Sequence, residues 1–146
     1  MTVLTTADLA LLAEARRATL ATVAPDGRPR LVPVCYVVVD DTIWIALDEK
    51  PKTVGDVREL ARVRDVVARP AVSLLVDRWS EDWTDLAWVR LHGIARLVEP
   101  DGVPAAVIPA LRARYPQYVG QALEAAPMLA IEVSAARRWD ASGGAA

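Results

Sequence analysis

Ala18-Thr19-Leu20-Ala21-Thr22-Val23, then Pro25-Asp26-Gly27-Arg28, then the β-rich run Leu31 to Val39, decide the fold class. The first segment alternates small polar with apolar residues, the period of a half-buried strand, and the second carries turn chemistry. Together they read as a hairpin. Asp40-Asp41 supplies another turn, and Ile43-Trp44-Ile45-Ala46-Leu47, rich in β-branched and aromatic residues, reads as a third strand. The chain therefore opens as an antiparallel meander.

Upstream of the meander, Thr5 followed three residues later by Asp8 predicts a helix start, with Leu9, Leu12 and Ala13 on one face of a helix over 6–16. Downstream, Asp56 to Arg64 places Val57, Leu60, Ala61 and Arg64 at helical spacing, and Pro70 closes that section. Ala71 to Val76 and Leu86 to Val98 read as strands around a charged, tryptophan-containing loop from Asp77 to Asp85. A helix from about Val103 to Tyr115 and a final strand from about Met128 to Trp139 follow. Six β segments with two or three helices predict a mainly β fold with flanking helices, a six-stranded antiparallel split β-barrel or sandwich, because a parallel sheet needs a helix after nearly every strand. The 146 residues fit one domain, with an ordered core over about 5–140 and a frayed tail from Ala141 to Ala146.

Composition excludes several classes of function. With 53% hydrophobic and 25% charged residues the chain folds, and a net charge of −2 offers no field for a nucleic-acid backbone. No basic region precedes Asp8 to make a signal peptide, and no apolar run reaches the roughly 18 residues of a membrane helix. A cytoplasmic protein without membrane or nucleic-acid partners is expected. One cysteine, Cys35, and one histidine, His92, cannot furnish a zinc ligand set, so no metal is expected. His92 sits in the strand pattern Val89 to Ala95 without the surroundings of a triad, and Cys35 reads as a small buried hydrophobe. The acidic pairs Asp40/Asp41 and Glu81/Asp82 fall in turns, where solvated charge is ordinary. No glycine-rich turn joins strand to helix, since Gly55 stands alone there.

Two groups of residues carry more chemistry. The only lysines, Lys50 and Lys52, flank Pro51 at a strand end, ahead of Thr53 and a helix start, an arrangement that suits an anion; taken alone, such a loop is more often a solvated turn. Arg58 and Arg62 add positive charge beyond it, or simply form a solvated helix face. The second group is Trp79, Trp83, Trp88 and Arg90, whose flat walls and guanidinium suit a planar anionic ligand, with core packing as the other reading of Trp88.

The order of these motifs resembles a known family. Ala21 to Pro29, Leu47-Asp48-Glu49-Lys50-Pro51-Lys52, Val76-Asp77, Glu81-Asp82-Trp83, Trp88-Val89-Arg90 and Gly93 are similar to the pyridoxamine-phosphate-oxidase-like split-barrel family, and more closely to its deazaflavin-dependent branch in actinobacteria. The resemblance covers about residues 5–140 and implies a two-fold homodimer with two cofactor sites across the interface. It implies that Arg30, Pro33, Val34 and Cys35, with Ile45 and Ala46, flank the cofactor ring, and that Lys52 holds its phosphate. Trp88, Arg90 and Trp139 match positions that approach the cofactor, partly from the partner subunit; Asp48, Lys50, Thr53 and Arg58 complete the expected set. Lys50-Pro51-Lys52 stands where FMN oxidases of the family carry Ser-Arg-Lys, which puts coenzyme F420 ahead of FMN. Asp65 stands where close relatives usually have Asn.

The resemblance thus implies an F420-dependent oxidoreductase passing hydride between the reduced cofactor and a small organic substrate. On this reading the cofactor carries the chemistry, and the lack of an acid, base or nucleophile set is expected. The alternatives are an FMN-dependent oxidase or reductase on the same fold and a non-enzymatic cofactor- or haem-binding protein.

Overall fold

A computed structural model describes residues 3–47 and 55–143. Strands β1 (Ala18–Val23), β2 (Pro29–Val34), β3 (Tyr36–Val39), β4 (Thr42–Ala46), β5 (Ala71–Arg78), β6 (Ala87–Val98) and β7 (Met128–Asp140) form one antiparallel sheet in the order β2-β1-β5-β6-β7-β4-β3. Helices α1 (Thr6–Glu14), α2 (Ala61–Ala68) and α3 (Val107–Arg114) flank it, with 3-10 turns between. None of the helices is long and apolar enough to cross a membrane.

The sheet has seven strands, not the expected six, because the run Leu31 to Val39 breaks at Cys35. β2 pairs with β1 and β3 pairs with β4, so two neighbouring pieces of chain occupy opposite edges of the sheet. One residue bridging the two edges obliges the sheet to curl, consistent with a split barrel. The break is held by Tyr36, whose ring is fully buried and whose hydroxyl donates to the carbonyl of Leu12 at 2.6 Å. Its backbone N–H donates to the Tyr115 hydroxyl at 3.1 Å, and that hydroxyl lies 3.2 Å from its carbonyl. Tyr115 thus takes backbone groups that a neighbouring strand would otherwise satisfy.

Alternation sorts the strands into an inner and an outer face. Leu20, Leu74, Val76, Val89, Leu91 and Ile131 point inward and form the main core with Leu11 and Leu12 of α1 and Val63 and Val66 of α2. The capping box is present, with the Asp8 N–H on the Thr5 hydroxyl at 3.1 Å and the Thr5 N–H on the Asp8 carboxylate at 2.9 Å. The expected helix face is rotated: Leu9 and Ala13 are exposed, while Leu11, Leu12 and Asp8 are buried, the carboxylate lying 3.6 Å from Arg138 of β7. Helix α2 also starts later than expected, after a 3-10 turn over Val57–Glu59.

β7 carries a bulge opposite His92/Gly93 that changes which of its residues face outward. A Cβ at Gly93 would run into the backbone of Glu132 and come within 2.7 Å of the Ile131 side chain, so only glycine fits there. Beyond the bulge Met128 and Ala130 face outward, and with Trp44, Val107, Leu111, Tyr118 and Leu123 they form a second core beneath α3. Cys35, half-buried, packs against this second core rather than inside the barrel.

Candidate functional site

The outer face of β5, β6 and β7 bears a cleft of about 350 Å³ lined by Leu75, Asp77, Arg78, Trp79, Leu86, Ala87, Trp88, Arg90 and Trp139. Strand register brings the aromatic walls together: Trp88 lies opposite Trp139 on β7 and opposite Asp77 on β5. The Arg90 guanidinium sits over the Trp88 ring, 5.5 Å from its centroid, a cation–π contact. Arg78 is engaged elsewhere, donating to the carbonyl of Asp85 at 2.6 Å and to Glu14 of α1 at 3.0 Å.

Arg90 is different. Its register partner on β7 is Arg137, and among the described residues neither guanidinium has a carboxylate partner. Like charges directly opposite each other destabilise a sheet. At the edge of an aromatic cleft they also make a seat for an anion.

The remaining expected site residues are scattered. Pro33 lies on the outer face, in one cross-strand row with Thr19, Leu75 and Arg90, so three strand spacings, about 14 Å, separate it from Arg90. Val34, Ile45 and Ala46 are buried, their side chains packed in the two cores. Arg58 does not extend an open cationic face: it forks onto Glu99, with Nε 3.2 Å from Oε2, and also contacts Asp56 at 3.2 Å. The Arg58–Glu99 hydrogen bond leads in raising the Arg58 pKa and in lowering that of Glu99, while the Arg58 backbone N–H, donating to Asp56 at 2.9 Å, leads in lowering that of Asp56. Asp48, Lys50, Lys52 and Thr53 lie outside the described residues.

Arg30 points inward at the mouth of the barrel, where its Nε donates to Asp65 of α2 at 2.7 Å. The same carboxylate oxygen accepts from the Thr22 hydroxyl at 2.7 Å, and the other oxygen lies 3.4 Å from Arg69. Burial opposes the charge on Asp65, but the Arg30 and Thr22 hydrogen bonds and the two guanidiniums outweigh it and hold the carboxyl below the ordinary range. Sequence reading named Arg30 but not this cluster: Asp65 and Arg69 stand at helical i,i+4 spacing, but nothing in the sequence signals that Arg30 of β2 meets them. His92 is exposed on the outer face with Nδ1 2.7 Å from the Ser73 hydroxyl. No group of three or more His, Cys, Asp or Glu that could hold a metal occurs among the described residues.

A curled antiparallel sheet with an aromatic, cationic cleft on its outer face defines a mainly β protein of the split-barrel type. The sequence matches the pyridoxamine 5'-phosphate oxidase family over residues 4–142, and the chain belongs to that family. No curated protein matches it. Among solved structures it is similar to a conserved hypothetical protein from Mycobacterium tuberculosis, at 25% identity and a TM-score of 0.73, covering 96% of this chain and 87% of that one. A haem-binding protein from Mycobacterium smegmatis matches at 20% identity and a TM-score of 0.72 over 92% of this chain and 52% of that one. An F420 reductase matches at 21% identity and a TM-score of 0.61 over 87% and 93% respectively.

Proposed function

We propose that the protein is an F420-dependent oxidoreductase that works as a cytoplasmic homodimer and reduces a small organic substrate. The observation that carries this reading is the pair Arg90 and Arg137, side by side without a carboxylate among the described residues, at the rim of a cleft walled by Trp79, Trp88 and Trp139. Such a site fits a flat, negatively charged ligand. When bound, a deazaflavin supplies the hydride. The residues around it orient a ring by stacking, neutralise its charge and keep water from the reacting face.

The geometry also supports a site built by two protomers. Within one protomer Arg30 points into the barrel while Arg90 points out from a strand three positions away, so one ligand touches both sets only if a second copy supplies one of them. The outer face carries the means to recruit that copy, since Leu31, Leu75 and Ile94 are 66%, 43% and 51% exposed. Apolar side chains of this size on one sheet face mark an association surface.

Titration of the purified protein with F420, FMN and haem in separate experiments, followed by fluorescence and absorbance, tests the reading. F420 is expected to bind tightest, and Arg90→Gln to weaken it about tenfold while leaving the fold at least as stable, because the like-charge contact is relieved. Preferential haem binding, favoured by the Mycobacterium smegmatis neighbour, would overturn the oxidoreductase reading. Lys52→Ala is expected to weaken F420 binding more than Cys35→Ala or His92→Ala.

A further inference from the structure

We infer that Asp65 holds Arg30 and Arg69 as a paired guanidinium seat for a phosphate or carboxylate group, resting on the proposal that the ligand is a cofactor with an anionic tail. Three elements meet at this point. Arg30 comes from the start of β2, Arg69 from the end of α2, and Thr22 from the end of β1, directly opposite Arg30 in the strand register. Asp65 is 2% exposed, and its carboxylate accepts from all three side chains.

The cluster is overbuilt for a structural ion pair. One buried carboxylate needs one guanidinium to be neutral, yet it has two, leaving a net positive charge at the barrel mouth. Both arginines remain partly open, with side chains 40% and 35% exposed. Arg30 uses Nε alone, so its Nη groups have no protein partner among the described residues. Arg69 uses Nε on the carbonyl of Val23 at 2.7 Å and Nη2 on Asp65, which fixes the plane of its guanidinium and leaves Nη1 unengaged. A guanidinium fixed through Nε presents its outer N–H groups as a fork, the geometry that grips phosphate or carboxylate oxygens. Asp65 is then a positioning residue: its own charge is matched, and it holds the open Arg30 fork, through one carboxylate oxygen, and the free Nη1 of Arg69, through the other, on the same cluster. Asn at this position would keep a partner for Thr22 but would not hold two cations.

Two arms test this separately from the deazaflavin reading. In the first, inorganic phosphate is titrated into the wild-type protein and into Asp65→Asn and Arg69→Gln, with thermal unfolding as the readout. Phosphate is expected to raise the melting temperature of the wild type and to have little effect on either variant; an equal response in all three would overturn the seat. In the second, F420 is compared with the deazaflavin chromophore lacking its phosphate tail. Asp65→Asn is expected to weaken F420 binding about tenfold and leave tailless chromophore binding unchanged. Equal loss for both ligands would mean a purely structural role and would also overturn the inference. If wild-type protein binds neither deazaflavin while the phosphate arm behaves as expected, the cofactor reading fails and the anion seat stands.

Discussion

The two halves of the outer sheet face have opposite fates. Around β4 and the start of β7, Trp44, Ala46, Met128 and Ala130 are sealed beneath α3 and the 3-10 turns that follow it. Around β2, β1, β5 and the first half of β6, Leu31, Val23 and Leu75 stand exposed, and the candidate site residues Trp88, Arg90 and Trp139 lie on the same surface. The β7 bulge at His92/Gly93 separates them. Apolar residues are thus buried for stability on one half and left exposed on the other, the half to which the proposed association and ligand site are assigned.

The sharpest way to break this comparison is to empty one position in each half. Leu111→Ala removes a fully buried side chain from the covered half, and chemical denaturation should show a loss of about 2–5 kcal/mol. Leu31→Asp with Leu75→Asp should leave that unfolding transition nearly in place for the isolated protomer. Sedimentation should instead show self-association weakened by roughly a hundredfold. If the double variant unfolds, the bare half is structural and the contrast fails. A smaller effect is expected for Trp139→Ala, which should cost about tenfold in deazaflavin affinity with the circular dichroism spectrum unchanged.

Acid gives a further test. Asp65 has a folded pKa below its ordinary 3.8, so its contribution to stability is complete above that value and is lost as pH falls through the depressed one. Stability measured from pH 5 downward should therefore decline less in Asp65→Asn than in the wild type. The smallest expected effect is at Glu124, whose carboxyl Arg112 pulls down to about 2. Its contribution should fade between its ordinary 4.5 and that value, but the carboxylate is exposed, so Glu124→Gln should scarcely move the unfolding midpoint.

Strand placement was legible wherever local alternation governs it, as along Ala18 to Val23 and from Leu86 to Val98. The break at Cys35 was not, because Leu31 to Val39 is continuous in apolar character and the residue that ends the pairing, Tyr115, lies far along the chain. The buried face of α1 was misread for a similar reason: Asp8, held by the capping box, is buried beside Arg138 of β7, a neighbour that the local pattern does not contain. The tryptophan cluster in the sequence places Trp79, Trp88 and Arg90 in one cleft, whereas Trp83 does not line it and Trp139 was reached only through the family resemblance, because it comes from a strand far along the chain. Arg58 read as an open cation because Glu99, which engages it, is distant in sequence.

The bridge at Cys35 also bears on how the chain folds. β1, β5, β6 and β7 can assemble as an open ladder, and β2 and β3 can pair locally with β1 and β4, but the six residues of β2 and the four of β3 on either side of one cysteine occupy opposite edges of one sheet only once that ladder has curled. Closure must therefore pay its loop entropy before most of its pairing is gained, which places it late and makes it slow. Amide protons of β3 should acquire protection after those of β5 and β6 in a refolding experiment, and a chain arrested before closure would expose the two sheet edges together.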